Sequence, residues 1–133
     1  MAIRDFAYVV QSRKSPREAL ADLWKAAVQA NWIVLGDYDL SGILQAEGTA
    51  HREIKSLDIC RLEYARDFVK AEPMTALCMP CNILIYQQDG STTIAAMMPS
   101  VMLPHLFEHA LAHLGDKPRY VDRELQAIID AAK

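Results

Sequence analysis

Cys60, Cys78 and Cys81, together with His105, His109 and His113, are the side chains with which this 133-residue chain could do soft-ligand or proton chemistry. Cys78-Met79-Pro80-Cys81 has the spacing shared by dithiol redox centres and zinc knuckles. A redox pair works because its first thiol lies at a helix N-terminus, where free backbone N–H groups stabilise thiolate. Here an apolar, strand-like run from Asn82 to Tyr86 follows instead. Positions three apart in extended chain point to opposite faces, with Cα atoms roughly 10 Å apart, too far for a disulfide unless Met79-Pro80 makes a turn. A structural zinc site wants four ligands, and there is no second Cys pair; Cys60 and one histidine can complete a three-cysteine, one-histidine set around Cys78 and Cys81. The other reading makes Cys78 and Cys81 small buried hydrophobes.

Cys60 differs, because it lies where a strand hands over to a helix beginning near Arg61. The helix-end field and the neighbouring cation can both favour its thiolate, which makes Cys60 the candidate catalytic or persulfide-carrying thiol. His105, His109 and His113 are spaced by four, so a helix would align them on one face, with Met102 about a turn earlier. They flank an apolar stripe of Leu103, Leu106, Phe107, Ala110 and Leu114. Such a row is either an exposed polar face or a His/Met ladder for a transition metal such as copper or zinc, for haem, or for a partner subunit.

These residues need elements to position them. Residues 3–11 read as a first strand. Ser15-Pro16-Arg17-Glu18 is a helix start, with Ser as N-cap, Pro at the first helical position and Glu closing a capping box. Leu20, Leu23, Trp24, Ala27 and Val28 then form an apolar stripe, and Asn31 supplies a left-handed stop. A short strand at 32–35 and a loop with one helical turn at 39–48 lead to a strand at 54–60, in which Lys55, Leu57 and Ile59 alternate with Ile54, Ser56, Asp58 and Cys60. The following helix turns Leu62, Ala65, Phe68 and Val69 inward and ends before Pro73.

Asp89-Gly90 is a type I′ hairpin signal between strands at 81–88 and 91–98. A two-residue turn there pairs Ile85 with Ile94, Ile83 with Ala96 and Cys81 with Met98. Cys81 and Met98 on one face, with Cys60 nearby, form a ligand set suited to Cu(I), to haem iron or to a sulfur-rich core. Residues 102–114 and 120–132 read as two closing helices.

The succession SLDICRLEYARDFVKAEP, then LCMPCNILIYQQDGSTTIAAMMP, resembles the domain of unknown function 302 family. That family has a strand ending in Cys, a helix, a Leu/Met-Pro-Cys-Asn strand, a Gly turn and a strand ending in Pro. Cys60 and Cys81 stand at its cysteine positions; Arg61-Leu62 replaces its usual Asn-Pro, and Cys78 and the histidine segment look like additions. The resemblance spans about 6–99, with extra helices over 101–132. It implies a compact two-layer α/β domain, often a homodimer, and no activity.

A net charge of -3 with no basic stripe argues against nucleic acid. No apolar run approaches a membrane span, the patch at 6–10 is too brief for a signal segment, and three cysteines fit a reducing cytoplasm better than a disulfide framework. No phosphate loop, serine elbow or His-Glu-x-x-His is present. The expected fold is therefore a single α+β domain of two layers, a mostly antiparallel sheet of about five strands with helices on one face and a homodimer covering the other. The expected function is small-ligand, soft-metal or haem binding through Cys60, Cys81 and Met98. The alternative is a thiol enzyme or sulfur carrier using Cys60, with Cys78 or Cys81 as resolving partner.

Overall fold

In the computed structural model, which describes residues 1–48, 52–109 and 111–133, five strands form one sheet of order β1-β5-β4-β3-β2, with every neighbouring pair antiparallel. The strands are β1 (Ala7–Ser12), β2 (Ile33–Asp39), β3 (Ile54–Cys60), β4 (Cys81–Gln88) and β5 (Ser91–Met97). The helices are α1 (Ile3–Phe6), α2 (Pro16–Gln29), α3 (Leu40–Ala46), α4 (Leu62–Ala71), α5 (Pro99–Leu106) and α6 (Lys117–Ala132), with 3₁₀ turns at Pro73–Cys78 and Ala112–Leu114. The two-layer α+β expectation holds.

Local chemistry places most boundaries. Ser15 Oγ accepts the Glu18 N–H at 3.2 Å and the Glu18 carboxylate reaches back to the Ser15 N–H, so α2 starts at the capping box. It stops at Asn31, whose φ of 66° is the left-handed turn that the sequence predicts. Asp89 and Gly90 have φ of 53° and 79°, which gives the β4–β5 hairpin the predicted two-residue turn and pairs Ile85 with Ile94 and Ile83 with Ala96.

Alternation along the strands puts Ile83 and Ile85, Leu57 and Ile59, and Ile94 and Ala96 on one face, all buried against α2 and α6. Helix α2 contributes Ala19, Leu23 and Ala27, and α6 contributes Leu125, Ile128, Ile129 and Ala132. Among the described residues, no helix covers the opposite face, where Val9, Leu84 and Ile33 are 36–42% exposed. The first strand and the last helix are clasped: Tyr8 donates to Asp130 at 2.6 Å, Ser12 to the Lys133 carbonyl at 3.1 Å, and Lys14 to the Ala132 carbonyl at 2.7 Å.

Several elements differ from the expected ones. Residues 3–6 wind into a helical turn because Asp5 accepts the Ala2 N–H at 2.8 Å, so β1 starts only at Ala7. The buried stripe of α2 is Ala19, Leu23 and Ala27, which leaves Trp24 and Val28 half exposed, since small alanines let the helix sit close to the sheet. In α4, Phe68 goes inward while Leu62 stays 60% exposed. Strand β2 runs on to Asp39 with a bulge at Leu35, and Asp39 caps a longer helix, α3, by accepting the Gly42 N–H at 3.1 Å. The helix expected over 102–114 is broken: α5 begins at Pro99, so Pro104 falls in its interior, lacks an N–H for the ladder, and α5 ends at Leu106. Ala110 of the expected stripe lies outside the described residues.

Candidate functional site

Strand β3 ends, β4 begins and β5 ends at the same edge of the sheet, and α4, the 73–78 turn and α5 close around those ends. They wall a half-open cavity of about 230 Å³ whose lining is mainly apolar. Cys60, Cys78 and Cys81 all line it, as do Met79, Met97 and Met102, so six sulfur-bearing side chains meet one space. Phe68, Leu103, Leu106 and Val121 supply most of the remaining apolar wall.

The three thiols are unpaired and partly buried. Cys81 follows from the register: it pairs with Ile59 and lies on the helix-covered face with Ile83 and Ile85. Burial, with lesser contributions from Cys60, Asp122 and Cys78, pushes its thiol up to about 12. Burial also pushes the Cys60 thiol up. The expected helix-end activation of Cys60 is therefore outweighed by desolvation, and the Arg61 charge beside it is already engaged by Glu124 and, at 3.2 Å, by Glu63.

The raised Cys81 value has a defined sign. The unfolded chain releases this proton near the ordinary 9.0 and the folded chain near 12, so stability falls as pH rises through that window, by at most about 1.4 kcal/mol per unit. Urea unfolding of the protein and of Cys81→Ser at pH values between about 8 and 11 should show a shallower alkaline decline for the variant. Parallel declines would remove Cys81 as the cause.

Met98 does not line the cavity. The predicted register carries it opposite Cys81, but β5 ends at Met97; the Met98 N–H donates to the Phe6 carbonyl at 2.7 Å and its sulfur faces Gln126 Nε2 at 3.7 Å. Met97 takes its place in the wall. The histidines are elsewhere too. His105 sits on α5, His109 lies beyond its end and His113 lies in the second 3₁₀ turn, so the break at Leu106 dismantles the one-face row. His113 instead lines a separate polar pocket with Asp67, Lys70 and Lys117. Among the described residues, no three His, Cys, Asp or Glu side chains are grouped to hold a metal ion.

Sequence reasoning missed the polar frame around the cavity. Glu124 Oε1 accepts Trp32 Nε1 at 3.1 Å and Arg61 Nη1, and Glu124 Oε2 accepts the Tyr64 hydroxyl. That last bond pushes the Tyr64 phenol up and keeps it a donor. Arg61 also lies 5.4 Å from the Tyr64 ring centre. On α6, Asp122 is buried and accepts both the Ser100 N–H at 3.0 Å and the Ser100 hydroxyl, tying the start of α5 to α6. Only the lone acidic residue on the apolar stripe of α6 signals this in the sequence.

A family model described as Domain of unknown function DUF302 matches residues 8–132, a span that takes in the helices after Pro99. No curated protein matches the chain. The crystal structure of an uncharacterized conserved protein DUF302 from Bacillus stearothermophilus is similar with a TM-score of 0.87 at 22% identity, over 96% of this chain and 98% of that one. A likeness at that identity is one of fold. Among the described residues, no helix is long and apolar enough to cross a membrane.

Proposed function

The chain belongs to the DUF302 family, whose description assigns no activity, and we propose from the cavity that it is a binding module for a small apolar molecule. The observation that carries this reading is a half-open, sulfur-rich, apolar space of about 230 Å³ at the end of the sheet. Apolar cavities of roughly 150 Å³ stay dry and admit benzene or xenon, whereas drug-sized ligands occupy about 300–1,000 Å³. A ring-sized molecule fits this scale; haem would have to stand at the mouth. Burial keeps the Cys60 and Cys81 thiols protonated, which favours non-covalent contact over nucleophilic attack, and among the described residues no general base is engaged with the Cys60 thiol.

Toluene is a suitable first probe. Titration should shift the Trp32 indole N–H resonance saturably, and Ala65→Phe, which fills the cavity from α4, should weaken binding at least about 10-fold. No saturable shift, or an unaffected Ala65→Phe, would overturn the reading.

The six sulfurs favour a second reading, capture of Cu(I), because thioether and thiol ligands select that ion. Anaerobic Cu(I) titration should then give one-equivalent binding that Cys60→Ser and Cys81→Ser each weaken; binding unaffected by both would discard it. The uncovered sheet face with Val9, Ile33 and Leu84 supports a homodimer, and the unpaired thiols support a reducing cytoplasmic setting.

A further inference from the structure

We propose that Glu124 is the specificity-determining residue of the cavity: by drawing three polar groups of the wall outward, it makes the interior select neutral, apolar ligands. This rests on the cavity reading above. Glu124 itself is not part of the lining, yet Trp32, Arg61 and Tyr64, which are, all donate to its two carboxylate oxygens. The three donors come from three places, the residue before β2, the β3–α4 junction and α4, and α6 brings one acceptor to all of them. The remaining N- or O-bearing lining side chains are engaged as well: Thr75 donates to the Glu72 carbonyl at 2.8 Å and Asn82 to Asp58 at 2.8 Å. What these side chains leave on the cavity is their hydrocarbon, since amphipathic side chains present an apolar body when their polar tips are held elsewhere.

Removing Glu124 releases a phenol, an indole N–H and the Nη1 side of a guanidinium, whose Nε stays with Glu63, at the wall of the same space. A ligand carrying a carboxylate then finds a cation that the native protein keeps occupied. Toluene and benzoate share a ring and differ in this respect, so their affinity ratio reads the effect directly, followed by the Trp32 indole resonance or by ligand-observed saturation transfer.

The unaltered protein should bind toluene at least about 10-fold more tightly than benzoate. Glu124→Ala should move the ratio at least about 10-fold toward benzoate, and adding Arg61→Gln should cancel that gain. Glu63→Gln removes only the outer partner of Arg61 and should leave the ratio unchanged. Glu124→Gln keeps the side-chain shape and serves in place of the alanine variant if the latter does not fold; its ratio should move the same way. An unchanged ratio in the folded variant, or equal affinities in the unaltered protein, overturns the assignment while leaving the cavity reading intact. Failure of the unaltered protein to bind either probe overturns both.

Discussion

Ile83→Ala should lower the stability of this protein by about 2–5 kcal/mol, the cost of truncating a fully buried aliphatic side chain and leaving a void. Ile83 is 0% exposed at the centre of the sheet, paired with Leu57 on β3 and Ala96 on β5. Alanine on one side offers little bulk to collapse into the gap, so the upper half of that range is expected. Chemical denaturation should show a lower midpoint at an unchanged slope, and the melting temperature should fall roughly 3–5 °C for each kcal/mol. Leu84→Ala, one residue along but on the uncovered face, should cost less than about 1 kcal/mol. Equal losses at the two positions would mean that the second face is as buried as the first, which is the signature of a tight dimer.

Asp122→Ala should act on both stability and ligand binding. Its carboxylate satisfies the first free N–H of α5, that of Ser100, from a neighbouring helix, a role that the Met98 side chain cannot fill from the N-cap position. Its loss leaves Ser100 with a half-buried N–H and a hydroxyl unpaired, at about 1–2 kcal/mol. Helix α5 is eight residues long with Pro104 inside, so it has little stability of its own. It also carries Met102, Leu103 and Leu106 into the cavity wall. Toluene affinity should therefore fall several-fold in a variant that remains folded. Asp130→Ala, which removes the exposed Tyr8 contact, should leave that affinity unchanged. Retained affinity in Asp122→Ala would show that α5 holds its place without the clamp.

The sheet was legible in the sequence wherever local chemistry is unambiguous. The Ser15–Glu18 capping box and Asn31 set the two ends of α2, and the 54–60 alternation and the Asp89-Gly90 turn set four of the six ends of β3, β4 and β5. The convergence of Cys60 and Cys81 also followed, because adjacent antiparallel strands bring the end of one to the start of the next. What failed was decided by distant contacts or by a single backbone group. The histidine row needed a continuous helix, and one proline without an N–H in the interior of α5 removed it. The Cys81–Met98 pair needed one more residue of β5, and the chain turned at Met98 to bond Phe6 instead. Glu124 was illegible because its three donors lie about 60 to 92 positions away, and nothing at its own location distinguishes it from a solvated helix glutamate.

The clasp between β1 and α6 gives the chain a kinetic character. Strands β3, β4 and β5 succeed one another along the chain, but β1 must wait for β5 across the whole intervening sequence, and the α6 groups that clasp Tyr8 and Ser12, at Asp130 and Lys133, come later still. The first strand therefore stays unpaired until β5 has been made, and closing that long loop slows the step that completes the sheet.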